Sequence, residues 1–291
     1  MSDLPLSNEP KPTFTVGGKS FTAVAINTAA KAGEWIKLKL GTHERLALKS
    51  TPHDLVTEVD KGSETMIRNL IKTHFPHHTI LGEEGVAPGA DASAKALETM
   101  KDNEYLWIVD PIDGTTNYVH GFPFFSVSIA LAHRGEVIVG VVYDPCGDEL
   151  FVAEKGKGAY LKGKRMQVSG EAKLSDSLIA TGFPADSDFA LPLNLKGVQA
   201  VAPKARNIRV AGSAALHMAY VAAGRLSGFW EIGLNSWDIA AGSLLVSEAG
   251  GRVTDTSGQP YTLAVRHVLA TNGTVHDELR TTLSEAGATG A

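Results

Sequence analysis

A single cysteine, Cys146, is all that 291 residues contain. This excludes an internal disulfide framework and every zinc or iron–sulfur cage built on several thiolates, and it fits a reducing, cytoplasmic setting. Cys146 follows Tyr143-Asp144-Pro145 in a turn, so a structural thiol is expected there rather than a nucleophile. Long apolar runs are also missing, and nothing approaches the ~20 consecutive apolar residues that cross a bilayer. The opening MSDLPLSNEPKP is acidic and proline-bearing, unlike the basic start and apolar stretch of a signal peptide. Basic excess is absent too. A formal charge of -5 argues against a chain whose main work is gripping a phosphate backbone. The one basic concentration, Lys155, Lys157, Lys162, Lys164 and Arg165, is broken by Gly156, Gly158 and Gly163. It reads as the solvated rim of a β-hairpin.

What is present is an ordinary globular composition, 43% hydrophobic and 20% charged, long enough to bury a large core. Residues 1–19 and 284–291 read as tails, and 20–283 as a single domain with halves at about 20–165 and 166–283. Helical spacing of apolar residues predicts a helix over Phe21–Leu40. A second, with Ile67, Leu70, Ile71 and Phe75 as its core stripe, is expected from Lys61 to Phe75, stopped by Pro76. The period then changes to strands at 106–110, 126–133 and 137–144, the last two joined by Arg134-Gly135, with 151–153 and 159–161 continuing the meander. Helices are predicted again over Ser213–Ala223 and Trp237–Ala249, each closed by glycine. The order argues a layered α+β or α/β architecture. His74, His77 and His78 flank Pro76 without metal-ligand spacing and read as surface.

The chemistry concentrates in acids at strand ends. In WIVDPIDGTTN (107–117), a buried strand delivers Asp110, and Pro111 is expected to end it. Asp113 follows across the turn, and Gly114-Thr115-Thr116 opens the next segment with backbone N–H groups that could hold a phosphate. Glu83, in Gly82-Glu83-Glu84-Gly85, follows another short apolar strand; alone, such a segment is a surface turn. Asp238 sits in the first turn of a helix, where an acid also complements the dipole. Asp54, Glu58 and Asp60 precede a helix, which Asp60 could simply cap. Should Glu83, Asp110, Asp113 and Asp238 converge, each close pair would cost about 4 kcal/mol at 4 Å and an effective dielectric near 20. Cations relieve that cost, and all-oxygen ligands select magnesium or manganese over zinc. Magnesium completed by substrate phosphate means phosphoryl chemistry.

In this order, WIVDPIDGTTN, WDIAAGSLLVSEAGG (237–251), DLVTEVD (54–60) and GEEG resemble the inositol monophosphatase family, over about residues 45–275. The resemblance implies an αβαβα sandwich, usually a homodimer, and lithium-sensitive, magnesium-dependent hydrolysis of a polyol phosphate by a metal-activated water. It also implies roles. Glu83, Asp110 and the carbonyl of Ile112 would hold one magnesium, and Asp110, Asp113 and Asp238 a second, with Glu83 helping a weaker third. Asp60 and Thr115 would orient the water, and the Gly114 and Thr115 N–H groups would bind phosphate. Asp113, Glu231 and the Gly212-Ser213-Ala214 turn would meet substrate hydroxyls. Lys49 matches a lysine near the metal-site loop; a solvated lysine is the alternative. No substrate residue maps onto 182–207. Fructose-bisphosphate, histidinol-phosphate and nucleotide 3′-phosphate activities stay open within the family, as does an RNA- or transcription-complex-binding role. A haloacid-dehalogenase-type signature, DxDxT, is not met, since position 112 is Ile and the acids stand one residue too far apart.

Overall fold

The computed structural model describes residues 15–16, 19–41, 46–48, 55–184 and 187–290. Lys49 and Asp54 lie outside them. The chain begins with a short hairpin, β1 (Thr15–Val16) and β2 (Lys19–Ser20), then α1 (Phe21–Lys39), whose first turn is capped by Ser20 accepting the Ala23 N–H at 3.1 Å. A second hairpin, β3 (Leu46–Leu48) and β4 (Leu55–Thr57), leads into α2 (Glu58–His74). A seven-stranded sheet follows, with α3 (Ala90–Met100) and the short α4 (Thr115–His120) inserted. Its strands are β5 (Thr79–Gly82), β6 (Tyr105–Asp113), β7 (Ser126–His133), β8 (Glu136–Asp144), β9 (Glu149–Glu154), β10 (Gly158–Leu161) and β11 (Lys164–Arg165). Only β5 and β6 run parallel; the rest form a meander in chain order. The second sheet has the order β13-β12-β14-β16-β15, from β12 (Leu178–Thr181), β13 (Asn207–Val210), β14 (Gly228–Ile232), β15 (Arg252–Asp255) and β16 (His267–Thr271). Its helices are α5 (Ser187–Val201), α6 (Ala214–Ala222), α7 (Ser236–Glu248) and α8 (His276–Glu285).

Period-two alternation explains the layering. On β6 and β7, Trp107, Val109, Val127, Ile129 and Leu131 face outward into a cluster with Phe21, Val24, Ile36, Ile67 and Ile71 of α1 and α2. Leu106, Ile108, Ala130 and Ala132 point the other way, into a core shared with Leu216 and Met218 of α6 and Ile239 and Leu245 of α7. The same core takes Ala180, Phe229 and Val268 from the second sheet, whose outer face, through Ile179, Trp230 and Leu269, packs on Leu279 and Leu283 of α8. The result is the αβαβα sandwich. Among the described residues no helix is long and apolar enough to cross a membrane.

Four expectations need correction. Helix α2 starts at Glu58, so Asp60 lies inside its first turn and is not its cap. Strand β6 does not stop at Pro111 but runs to Asp113, through a bulge between the Asp110–Ser128 and Asp113–Ser126 pairs. β5 has already ended at Gly82, opposite Val109, so no neighbour there asks for the N–H that Pro111 lacks. His78 is not on the surface: it is buried, accepts the Trp107 Nε1–H on Nδ1 at 3.1 Å, and stacks on Phe75 and Tyr105 with centroids 4.8 and 4.5 Å away. The C-terminal end is docked rather than loose, because Ala288 is buried against the third core cluster and the Gly290 N–H reaches Thr256 Oγ1 at 3.1 Å.

Candidate active site

Two of the acids share β6, and the others arrive on elements of their own. Asp110 and Asp113 flank the β6 bulge, and Asp110 Oδ1 holds the bulge by accepting the Ile112 N–H at 2.9 Å. Glu83 opens a one-turn 3-10 helix, Glu83–Gly85, where β5 ends. Asp238 lies in the first turn of α7 and accepts the Asn235 N–H at 2.6 Å. Glu231 is on β14 and Asp60 on α2, both buried. Thr115 opens α4, its Oγ1 3.0 Å from Asp60 Oδ1 and 3.0 Å from the Ile112 carbonyl oxygen. One hydroxyl proton faces two acceptors, so Thr115 can serve either.

Electrostatics shows that the acids share one neighbourhood. Asp110 is pushed well above the usual carboxylate range, first by burial, then by Glu83, Asp113 and Asp238. Burial and Asp113 do the same to Asp238, and burial, Asp238 and Asp113 to Glu231. Asp113 is raised only to about 6, because hydrogen bonds from Ser213, Ala215 and Ala214 offset its burial. Those bonds come from the start of α6: Ser213 Oγ and the Ala215 N–H meet Oδ2 at 2.5 and 2.7 Å, and the Ala214 N–H meets Oδ1 at 3.3 Å. Among the described residues no three His, Cys, Asp or Glu side chains stand ready round one point as an ion cage. The donor set nevertheless fits a hard divalent cation: every donor is oxygen, and the cation would remove the cost that burial and like charge place on the ionised forms.

Gly212-Ser213-Ala214 therefore sits against Asp113. Gly114 joins it, with φ of +100°, and a methyl there would stand 3.1 Å from the carbonyl oxygens of Gly212 and Phe124, so glycine alone fits. Asn117, which the sequence offers only as the last residue of a motif, supports this junction. Its Nδ2 donates to the Phe124 and Ala211 carbonyls, both at 2.6 Å, joining α4 to the turn before α6. Ser63 and Glu64 on α2 also reach site segments, Ser63 Oγ donating to the Pro111 carbonyl at 3.3 Å. Their signal was their place three and four residues after Asp60, on one helix face.

Residues 19–288 match the sequence model described as the Inositol monophosphatase family. The chain belongs to that family. It is thereby a phosphoric monoester hydrolase of the inositol monophosphatase type, and the family is generally magnesium-dependent. It is 44% identical over 270 residues to inositol monophosphatase 2 of Solanum lycopersicum, covering 92% of this chain and 99% of the relative. It is 41% identical over 267 residues to the Nus factor SuhB of Pseudomonas aeruginosa, covering 89% and 94%. Among solved structures, the inositol monophosphatase from Anabaena (Nostoc) sp. PCC 7120 superposes with a TM-score of 0.78 at 39% identity, over 91% of this chain and 95% of that one.

Proposed function

We propose that the chain hydrolyses inositol monophosphate, or a closely similar polyol or sugar phosphate, with magnesium and by direct attack of water at phosphorus. The observation that carries this is the oxygen-only cluster of Glu83, Asp110, Asp113 and Asp238, in which Asp110 and Asp113 are buried, with buried Glu231 beside it. In this reading Glu83, Asp110 and the Ile112 carbonyl hold one ion and Asp110, Asp113 and Asp238 another, with Glu83 helping a weaker third. When bound, magnesium supplies Lewis acidity at the phosphoryl oxygens and positive charge for the departing alkoxide. The protein supplies the rest. Thr115 and Asp60, 3.0 Å apart, orient the attacking water. The Gly114 and Thr115 N–H groups receive the phosphate at the start of α4. Asp113, Glu231 and the Gly212-Ser213-Ala214 turn meet the hydroxyls of the alcohol.

Glu231 supports a monophosphate. With cations bound, the field of Asp113 and Asp238 that disfavours its ionised form would be offset, and the buried Glu231 carboxylate would repel a second phosphate on the leaving alcohol. Two family activities, on histidinol phosphate and nucleotide 3′-phosphates, stay as alternatives, with fructose bisphosphate disfavoured by the same repulsion. The Pseudomonas relative's name, Nus factor, raises a binding role as a second reading. The basic rim offers it little, because Lys155, Lys157 and Lys162 pair with Glu136, Glu154 and Asp148. A cytoplasmic homodimer completes the proposal, supported by family membership and by the single cysteine. Phosphate release from a panel of polyol and sugar phosphates, with magnesium and with EDTA, tests the whole. Turnover should need magnesium and favour inositol 1-phosphate; full turnover in EDTA would refute it.

A further inference from the structure

Glu83 stands on a single 3-10 turn at a strand end, a segment with little of its own to hold a carboxylate still. Helix α2 supplies a direct hold on that turn. Glu64, 4% exposed, accepts the Glu84 N–H on Oε2 at 2.7 Å. Its other oxygen takes the Arg68 Nε–H at 2.7 Å, and Arg68 continues to the Ile80 carbonyl on β5 at 3.2 Å. The residue before Glu83 is gripped as well: a methyl on Gly82 would stand 2.6 Å from the Glu64 carboxyl carbon. The strand end thus runs directly over this carboxylate with no room for a side chain. Both neighbours of Glu83 are referenced to one buried group.

That group belongs to a pattern along the helix. Asp60, Ser63 and Glu64 are spaced i, i+3 and i+4, on one face of α2. They meet Thr115, the Pro111 carbonyl and the Glu84 N–H in turn. Ile67 and Ile71 carry the same face onward into the outer core, where both are fully buried. One helix, anchored by its apolar half, therefore registers three separate segments of the site. An isoleucine at position 64 would continue the apolar face without the desolvation that a buried carboxylate costs. The carboxylate is explained by what it holds.

We infer that Glu64 is a positioning residue for Glu83: through the Glu84 N–H and the Gly82 backbone it fixes the direction from which Glu83 enters the acid cluster, and so sets the affinity for the divalent cation. This rests on the function proposed above. The test uses the full chain and the variants Glu64→Ala, Glu64→Gln and Gly82→Ala, each checked for folding by circular dichroism. Gln keeps the volume and an acceptor for the Glu84 N–H, Ala keeps neither, and Gly82→Ala disturbs the contact with Glu64 still in place. Manganese binding by electron paramagnetic resonance is read directly, beside the magnesium dependence of phosphate release and amide exchange at Glu84 in metal-free protein. Glu64→Ala should weaken manganese binding and raise the half-activating magnesium about 10–100-fold, as loss of a group orienting a ligand does. KM at saturating magnesium should stay within about threefold, and Glu84 exchange should quicken. Glu64→Gln should lose less, and Gly82→Ala should shift the same way.

Glu64→Ala with wild-type manganese affinity overturns the inference, whatever its melting temperature. So does Glu64→Gln no better than Ala. If Glu64→Ala does not fold, Gly82→Ala at wild-type affinity overturns it. Wild-type protein that neither binds manganese nor releases phosphate overturns the proposed function along with this inference. Wild type that does both, beside unaffected variants, overturns this inference alone.

Discussion

Replacing Asn117 by Asp changes almost no volume and reverses the chemistry of one junction. The two partners of the Asn117 side chain are the carbonyls of Phe124 and Ala211, each 2.6 Å from Nδ2. Both are acceptors, so only the NH2 end can face them. An aspartate presents an oxygen instead, leaving two carbonyls without their donor and a negative charge against them. A part-buried polar group deprived of its partner costs about 1–3 kcal/mol, so the pair sets a loss of about 3 kcal/mol. At about 2.1 cal/mol/K per residue the unfolding entropy is about 0.6 kcal/mol/K for this length, and Tm falls by about 5 °C. The sign with pH is fixed. The carbonyls raise the folded-state pKa of the new carboxyl, so the native state keeps a proton that the unfolded chain has lost. The penalty is therefore full above the raised pKa and shrinks as pH falls, because a protonated carboxyl can again donate to one carbonyl. Differential scanning calorimetry of Asn117→Asp and wild type at pH 7 and pH 5 reads both effects. A variant that melts with wild type at pH 7, or a gap that widens at pH 5, would refute the reasoning.

Asp110→Asn replaces a carboxyl whose ionisation burial and its acidic neighbours already oppose, and keeps an acceptor for the Ile112 N–H, so metal-free protein should melt no lower than wild type, while phosphate release falls at least about a thousandfold; a large drop in Tm would show that the acid was structural. Burial pushes His217 from 6.5 down to about 3, between the Phe124 and Phe229 rings, with neither ring nitrogen hydrogen-bonded among the described residues. The unfolded chain then takes up a proton that the native state refuses, so this contribution is intact above pH 6.5 and is lost as pH falls toward 3. From pH 6 to 5 wild type should lose about 1 kcal/mol more than His217→Leu in denaturant titrations, and parallel losses would contradict this. Glu231→Gln should narrow the preference for inositol 1-phosphate over fructose 1,6-bisphosphate in kcat/KM; an unchanged ratio would remove Glu231 from substrate selection.

Local patterns settled much of this protein without its fold. Alternation over 126–133 and the Arg134-Gly135 turn located β7 and its hairpin partner, because a half-turn period and a turn needing positive φ are written into adjacent residues. The spacing of Asp110, Asp113 and Gly114, and the glycine after α7, were legible for the same reason. Other features depend on what lies across space. His78 looks like a loop histidine until Trp107, Phe75 and Tyr105 enclose it. Pro111 looks like a strand breaker until β5 ends at Gly82, opposite Val109, before it could need the missing N–H. Asp60, Ser63 and Glu64 look like the wet start of an amphipathic helix, yet their face turns inward because the segments around Glu84, Pro111 and Thr115 offer them polar backbone and hydroxyl partners. Chain neighbours dictate which stretches become helix or strand and where an acid meets a strand end, since both follow from residues a few positions apart. The gathering of Glu83, Asp110, Asp113, Glu231 and Asp238 into one neighbourhood came from packing, because Coulomb energy and desolvation depend on distance and solvent, which no local pattern carries.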